Sequence, residues 1–268
     1  MKILLIGDII GRPGRAVVER EVRRLREERG VDLVVANCEN VAGGAGVTPD
    51  TADALFQAGV DVLTSGNHVW KKREALDLLR RDPRVIRPAN YSREAPGSGS
   101  VVVETLGGQK VGVLNLMGRV FMEAIDCPFR AADRELERLR AATPVIIVDM
   151  HAEATSEKVA MGWYLDGRVS CLFGTHTHIP TADERILPKG TAFITDVGMT
   201  GPYDSVIGRR VDQVLSRFLS HVPGKSEVAE GNVQLRGLLV DVDPATGKAS
   251  AIERLTKTFE GVVSHAGD

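Results

Sequence analysis

The chain is predicted to be an α/β protein with a largely parallel β core, on two observations. Short apolar runs of strand length alternate with helix-patterned segments along most of the chain, the order that crossover-connected sheets require. Five of those runs are followed within a few residues by Asp8, Glu39, Asn67, His151 and His176. Sheets of this class bind ligands in the crevice outside the carboxyl ends of their strands, so polar residues collected there fit the same prediction.

Residues 2–6 read as a buried strand ending at Gly7-Asp8. Gly11, Pro13 and Gly14 make a loop before a helix over 15–29, where arginines and glutamates surround Val18, Val22 and Leu25. A basic patch for RNA is one reading of that helix. The interspersed glutamates favour an ion-paired, solvated face. Neither a G-x-G-x-x-G nor a G-x-x-x-x-G-K-[ST] pattern occurs, which excludes a dinucleotide fingerprint and a P-loop. A second strand, 31–36, leads to Asn37-Cys38-Glu39-Asn40 and a loop containing Gly43, Gly44 and Gly46. Thr48-Pro49-Asp50 then opens a helix with cap, first-turn proline and first-turn acid in order. The third strand, 60–64, delivers Gly66-Asn67-His68, and 71–81 is helical. Runs 101–106 and 110–114 flank Gly107-Gly108 as a hairpin. Residues 115–130 read as irregular and 131–142 as a helix. Strands at 145–148 and 170–173 deliver His151 and Gly174-Thr175-His176-Thr177-His178. A strand over 192–195, a loop at 198–202 and a helix over 212–219 follow. Strands 233–242 and 249–258 close the chain around the turn at 243–247.

At 268 residues the chain is near the upper size for one hydrophobic core, so a single domain over 1–268 is expected. The formal charge of −2 gives no drive toward long nucleic acid, while small anionic substrates stay open. Cys38, Cys127 and Cys171 are odd in number and lack C-x-x-C spacing. That argues against a disulfide framework and for a reducing compartment. The apolar run 3–6 is too short for a secretory leader and no run approaches membrane-spanning length, so a cytoplasmic protein without a membrane partner is expected.

Each candidate residue alone has an ordinary explanation. Asp8 could cap a loop, Glu39 could pair with an arginine, Asn67 could stabilise a turn, and His68 and His151 could be surface or satisfied core residues. Jointly, with four of six histidines in these motifs, they point to a metal site. His221 and His265 are assigned no role. The candidates exceed what one tetrahedral ion needs and suit two ions sharing a carboxylate. Oxygen and imidazole ligands without thiolate point to iron, manganese or zinc. Cys38, with apolar neighbours, reads as a small buried residue and not as a ligand.

The segments Gly7 to Arg15, Cys38-Glu39-Asn40, Gly66-Asn67-His68, His151 to Lys158, Gly174 to His178 and Thr195 to Ser205 carry a wider pattern. In their order the chain resembles the calcineurin-like metallophosphoesterases, and within them the bacterial YmdB-type branch. Two departures from the general superfamily match that branch. Ile10 stands where a first-motif histidine is usual, and Glu39 where an aspartate is usual. The resemblance implies a four-layer αββα sandwich. It implies Asp8, Glu39, Asn40 and His178 around one metal, and Glu39 (bridging), Asn67, His151 and His176 around the other, with iron the first choice of metal. It also implies His68 as general acid, and hydrolysis of small cyclic nucleotides, 2′,3′-cyclic AMP in particular.

The expected reaction is in-line attack on phosphorus by a hydroxide bridging two cations, with His68 protonating the leaving ribose oxygen. The glycine-rich loops at 43–46 and 198–201 could bring backbone N–H groups to a phosphate or could be plain turns. Trp70, Trp163 and the three tyrosines are scattered, so no base-stacking platform can be read. A phosphomonoesterase or protein phosphatase is the alternative enzyme, and a regulatory metal-binding protein with little turnover the alternative class. The expected partner is a small phosphodiester, with homo-oligomerisation open.

Overall fold

The computed structural model describes residues 1–259; His265 and the rest of 260–268 lie outside the described residues. In chain order the elements are β1 (Lys2–Ile6), α1 (Gly11–Arg29), β2 (Leu33–Asn37), α2 (Pro49–Gln57), β3 (Val62–Thr64) and α3 (Ala75–Arg81). There follow β4 (Ser100–Glu104), β5 (Lys110–Met117), α4 (Pro128–Ala142), β6 (Ile146–His151), α5 (Thr155–Leu165) and β7 (Cys171–Thr175). Last come β8 (Arg185–Ile186), β9 (Ala192–Ile194), β10 (Gly201–Pro202), α6 (Val211–Ser220), β11 (Val233–Val242) and β12 (Ala249–Thr258).

These strands make two six-stranded sheets. In the first, β1, β2 and β3 are parallel, and β1 also pairs antiparallel with β11, the centre of an antiparallel margin with β10 and β12. In the second, β5, β6, β7 and β9 are parallel, with β4 and β8 as antiparallel edges. The expected parallel core is therefore present in both sheets.

Strand alternation divides the apolar residues among three cores. From β1, Ile3 and Leu5 pack between the sheets with Val35, Val62, Val113, Ile147 and Phe173. Leu4 and Ile6 face the other way, with Val34, Ala36 and Leu63, against Val17, Val18 and Val22 of α1 and Leu55 of α2. On the far side of the second sheet, Val148, Met150 and Leu172 pack on Leu136 and Leu139 of α4 and Met161 and Leu165 of α5. Helices, sheet, sheet and helices thus stack as the αββα sandwich. Because the parallel strands are covered on both faces, their sequences are mainly apolar, with the polar residues Asn37, Thr64, Asn115, Asp149 and Thr175 toward their carboxyl ends.

The local chemistry explains the boundaries. Thr48 caps α2 in a reciprocal box with Thr51, and Pro49 starts the helix, as its sequence predicts. α1 begins at Gly11, four residues before the expected start. Pro13 is tolerated because first-turn N–H groups have no intrahelical acceptor. β5 runs on to Met117 through residues whose sequence reads as irregular, because 115–117 pair with β6. α5 has no counterpart among the elements expected from sequence. Its buried face is Glu157, Lys158, Met161, Gly162 and Leu165, helically spaced but only partly apolar. Among the described residues no helix is long and apolar enough to cross a membrane.

Candidate metal centre

The carboxyl ends of β1, β2 and β3 face those of β6 and β7 across the inter-sheet core, and the sequence-predicted residues gather there. Asp8 follows β1, Glu39 and Asn40 follow β2, and Asn67 and His68 follow β3. His151 ends β6, and His176 and His178 follow β7. Asp8, Glu39, Asn40 and His151 are at most 2% exposed.

Two groups of ligand-type atoms can be distinguished. In the first, His151 Nε2 lies 3.1 Å from Glu39 Oε2, 3.1 Å from Asn67 Oδ1 and 3.0 Å from His176 Nδ1. Glu39, His151 and His176 each offer an atom within 4.8 Å of the others. In the second, Asp8 Oδ1 is 3.9 Å from His178 Nε2, and the Asn40 Nδ2–H donates to the same nitrogen at 3.2 Å. Asp8 Oδ1 is buried without a hydrogen-bond donor, whereas Oδ2 accepts the His176 N–H at 3.1 Å.

This donor set fits cations better than protons. One proton on His151 Nε2 cannot satisfy two oxygens and a second imidazole nitrogen at once. An orphaned buried carboxylate oxygen is costly unless a positive charge faces it. The titration behaviour has the same cause. Burial would raise Glu39, but the charge and hydrogen bond of His151 and those of His68 hold its carboxyl far below the usual range. Burial pushes Asp8 up, against the opposing pull of His178 and His151. Burial would lower His151, yet Glu39, Asp8 and Asp149 hold it up at about 9. Burial, then the charge of His151, presses His176 down to about 3. A cation bound among these groups would take the place of the proton that the carboxylates hold on His151.

All three histidines have their outer nitrogens engaged, which aims the inner ones at the cluster, His151 through Nδ1 at 2.9 Å from Thr175 Oγ1. His176 Nε2 faces Glu153 Oε2 at 3.2 Å, and His178 Nδ1 donates to the Ile207 carbonyl at 2.9 Å. His176 and His178 reach one crevice despite their i, i+2 spacing because both adopt left-handed backbone, φ 92° and 65°. Such strain persists only where surroundings over-determine it. Thr177 Oγ1 donates to Asp196 Oδ2 at 2.6 Å, and the same oxygen accepts from buried Lys158 Nζ at 2.6 Å. In the sequence, Lys158 and Asp196 stand only as parts of longer motifs. A lysine inside an otherwise helical stretch gives no sign, from sequence, of being fully buried.

His68 stands beside the cluster, partly exposed, with Nδ1 2.8 Å from Asn40 Oδ1 and 3.1 Å from Glu39 Oε1. Gly66 leaves room for the cluster, since a Cβ there would strike Glu39 Oε2 and the His151 ring. The glycine loops act as turns at two of their N–H groups. Gly46 N–H is spent on the Glu39 carbonyl, and Gly198 N–H on Asp196 Oδ1. Cys38 is buried in the core against α1, and burial pushes its thiol pKa up.

Residues 4–255 match the family described as YmdB-like protein. A Bacillus subtilis (strain 168) protein named 2′,3′-cyclic-nucleotide 2′-phosphodiesterase is 46% identical over 255 residues, covering 95% of this chain and 96% of that one. A Thermus thermophilus crystal structure described as a hypothetical protein superposes with a TM-score of 0.91 at 41% identity, covering 96% of this chain and 99% of that chain. A Mycoplasma pneumoniae structure described as a novel phosphatase gives 0.90 at 35% identity, covering 96% and 93%. From its strand-end motifs, its sandwich of two sheets and these likenesses, the chain belongs to the YmdB-like branch of the calcineurin-like metallophosphoesterases.

Proposed function

We propose that the chain is a two-metal phosphodiesterase acting on small cyclic nucleotides, 2′,3′-cyclic AMP first among them. The observation that carries this reading is the crowding of Glu39, Asn67 and His176 around His151 Nε2, beside the orphaned Asp8 Oδ1. Asp8, Glu39, Asn40 and His178 would hold one ion, and Glu39, Asn67, His151 and His176 the other. Iron is the first choice, with manganese or zinc as alternatives, because the donors are oxygen and imidazole without thiolate. Ions held there supply positive charge for the phosphoryl oxygens and lower the pKa of water.

The chain's own residues do the rest. Glu39, with Oε2 at His151 and Oε1 at His68, would share its carboxylate between the two ions. Asn67 brings a neutral oxygen, which limits the negative charge facing an anionic substrate, whereas Asn40, with Oδ1 toward His68 and Nδ2 toward His178 Nε2, would ligate only with its amide turned over. His68 presents Nδ1 to Asn40 Oδ1 and Glu39 Oε1, both acceptors, so that nitrogen carries a proton. Protonated at both nitrogens, the ring can give the Nε2 proton to the leaving ribose oxygen.

The likeness to the Bacillus subtilis protein supports the substrate, and the structure described as a phosphatase keeps a monoesterase as the second reading. The deciding experiment compares 2′,3′-cyclic AMP, 3′,5′-cyclic AMP and adenosine monophosphates on metal-loaded protein. The expected order places the 2′,3′-cyclic diester first in kcat/KM. A monoester in first place would overturn the diesterase assignment, and no turnover with metal bound would favour the regulatory one.

A further inference from the structure

One residue layer below the proposed ligands, on the faces that line the inter-sheet core, lie Asn37, Thr64, Asp149 and Thr175, all fully buried. They come from β2, β3, β6 and β7, and each stands two residues beyond an apolar residue of that core: Val35, Val62, Ile147 and Phe173. Asp149 accepts a hydrogen bond from each of the other three. Thr175 Oγ1–H donates to Asp149 Oδ1 at 2.7 Å, Asn37 Nδ2–H to Oδ2 at 2.9 Å, and Thr64 Oγ1–H to Oδ2. The orientation of the Asn37 amide is fixed, because its Oδ1 accepts the Glu39 N–H at 3.0 Å. A carboxylate at the floor of a metal site that touches no proposed ligand needs a different account.

The polarity of these bonds supplies it. A hydroxyl has one proton, and that of Thr175 is spent on Asp149. The 2.9 Å contact between Thr175 Oγ1 and His151 Nδ1 must then run from the ring N–H to the hydroxyl oxygen. Nδ1 therefore holds the proton, and Nε2 offers its lone pair to the space bounded by Glu39, Asn67 and His176. We propose that Asp149 and Thr175 are positioning residues that fix the tautomer and ring orientation of His151 through an aspartate–threonine–histidine relay. This rests on the reading of His151 as a metal ligand. Outer partners of this kind are worth about 10–100-fold in metal affinity.

The test titrates Zn²⁺, in competition with a chromophoric chelator, into protein stripped of metal, with the thermal midpoint of the stripped protein as the fold control. Thr175→Val should weaken one of the two sites by about 10–100-fold, and Thr175→Ser, which returns the hydroxyl, should restore wild-type affinity. Asp149→Asn should weaken the same site, and the double variant Asp149→Asn/Thr175→Val should be no weaker than the poorer single one, because both act along one path. Wild-type affinity in Thr175→Val, failure of serine to rescue, or additive losses would overturn the relay. If the variants do not fold, ¹⁵N histidine NMR of zinc-loaded wild-type protein decides, with a protonated His151 Nδ1 expected and a bare one overturning the proposal. Wild-type protein that takes up no stoichiometric Zn²⁺ would instead sink the metal-site reading, and the relay with it.

Discussion

Glu39 has both carboxylate oxygens committed, Oε2 to His151 Nε2 at 3.1 Å and Oε1 to His68 Nδ1 at 3.1 Å. Glutamine there keeps the shape but loses the charge and one of the two acceptor oxygens. Glu39→Gln is therefore expected to lose both metals, read by elemental analysis of the purified variant. Retention of two equivalents with near-normal turnover would show that Glu39 is not shared. His68 is a contrasting case, since it touches ligand oxygens without being a proposed ligand. His68→Ala should keep its metal and fold while turnover falls by roughly 10²–10⁴, the usual worth of a positioned acid. The loss should shrink for a nitrophenyl phosphodiester, whose leaving group hardly needs a proton. An equal loss on both substrates points to phosphate orientation, and metal loss makes His68 a ligand. The placement of these residues after strands was legible from sequence. Their partners were not, because contacts such as His68 with Asn40 depend on how the loops fold back.

At the scale of elements, the loop after β7 is held in a strained shape by a helix that the sequence hides. The burial spacing of α5 is helical, but two of its five buried positions are charged and one is glycine. Apolar periodicity, the main sequence signal for a surface helix, is therefore diluted. The same charged residues explain the helix's task. Glu157 accepts the N–H groups of Arg119 and Val120, and Lys158 reaches Asp196 under the His176–His178 loop. Gly162 is required because a Cβ would meet the Phe193 ring. Lys158→Met would leave the Asp196 carboxylate buried without its cation, a change that costs about 3–5 kcal/mol when one partner of a buried pair is removed. Urea unfolding of the variant should show a lower midpoint at unchanged slope. A midpoint equal to wild type would mean that the pair does not hold the loop.

For the whole molecule, the candidate centre joins the two sheets. Asp8, Glu39, Asn40 and Asn67 come from the first, and His151, His176 and His178 from the second. Metal should therefore behave as a clamp across the inter-sheet core as well as a reagent. Elemental analysis without chelator is expected to give close to two transition-metal equivalents per chain, and a value held at or below one after loading would refute the two-ion reading. At a free metal concentration ~1,000 times Kd, binding adds about 4 kcal/mol to stability. In a chain of this size that corresponds to a thermal midpoint about 10 °C higher than in the stripped protein. Calorimetry with and without a chelator checks the shift, and an unchanged midpoint would show that the sheets do not depend on the ion.

The order of amino acids was enough to establish the class of fold, because doubly covered strands are mainly apolar and helices between parallel strands must alternate with them. It was also enough to show where the reactive side chains stand, since a residue just past a strand of such a sheet can only be at its carboxyl end. The strand β10 and the continuation of β5 through Met117 escaped it because their partners are distant in the chain, β8 because two residues carry no period, and α5 because charged residues dilute its apolar spacing. That two separate sheets present those ends to each other was implied by the family resemblance and not by strand periodicity, and the folded chain bears it out. The turn of His176 and His178 into left-handed backbone toward one crevice is visible only in the folded chain. Folding also sets Asp149 beneath His151, joined by a hydroxyl from another strand. Strand periodicity specifies which face a side chain takes, whereas hydrogen-bond partners across strands depend on register and on the packing of one sheet against the other.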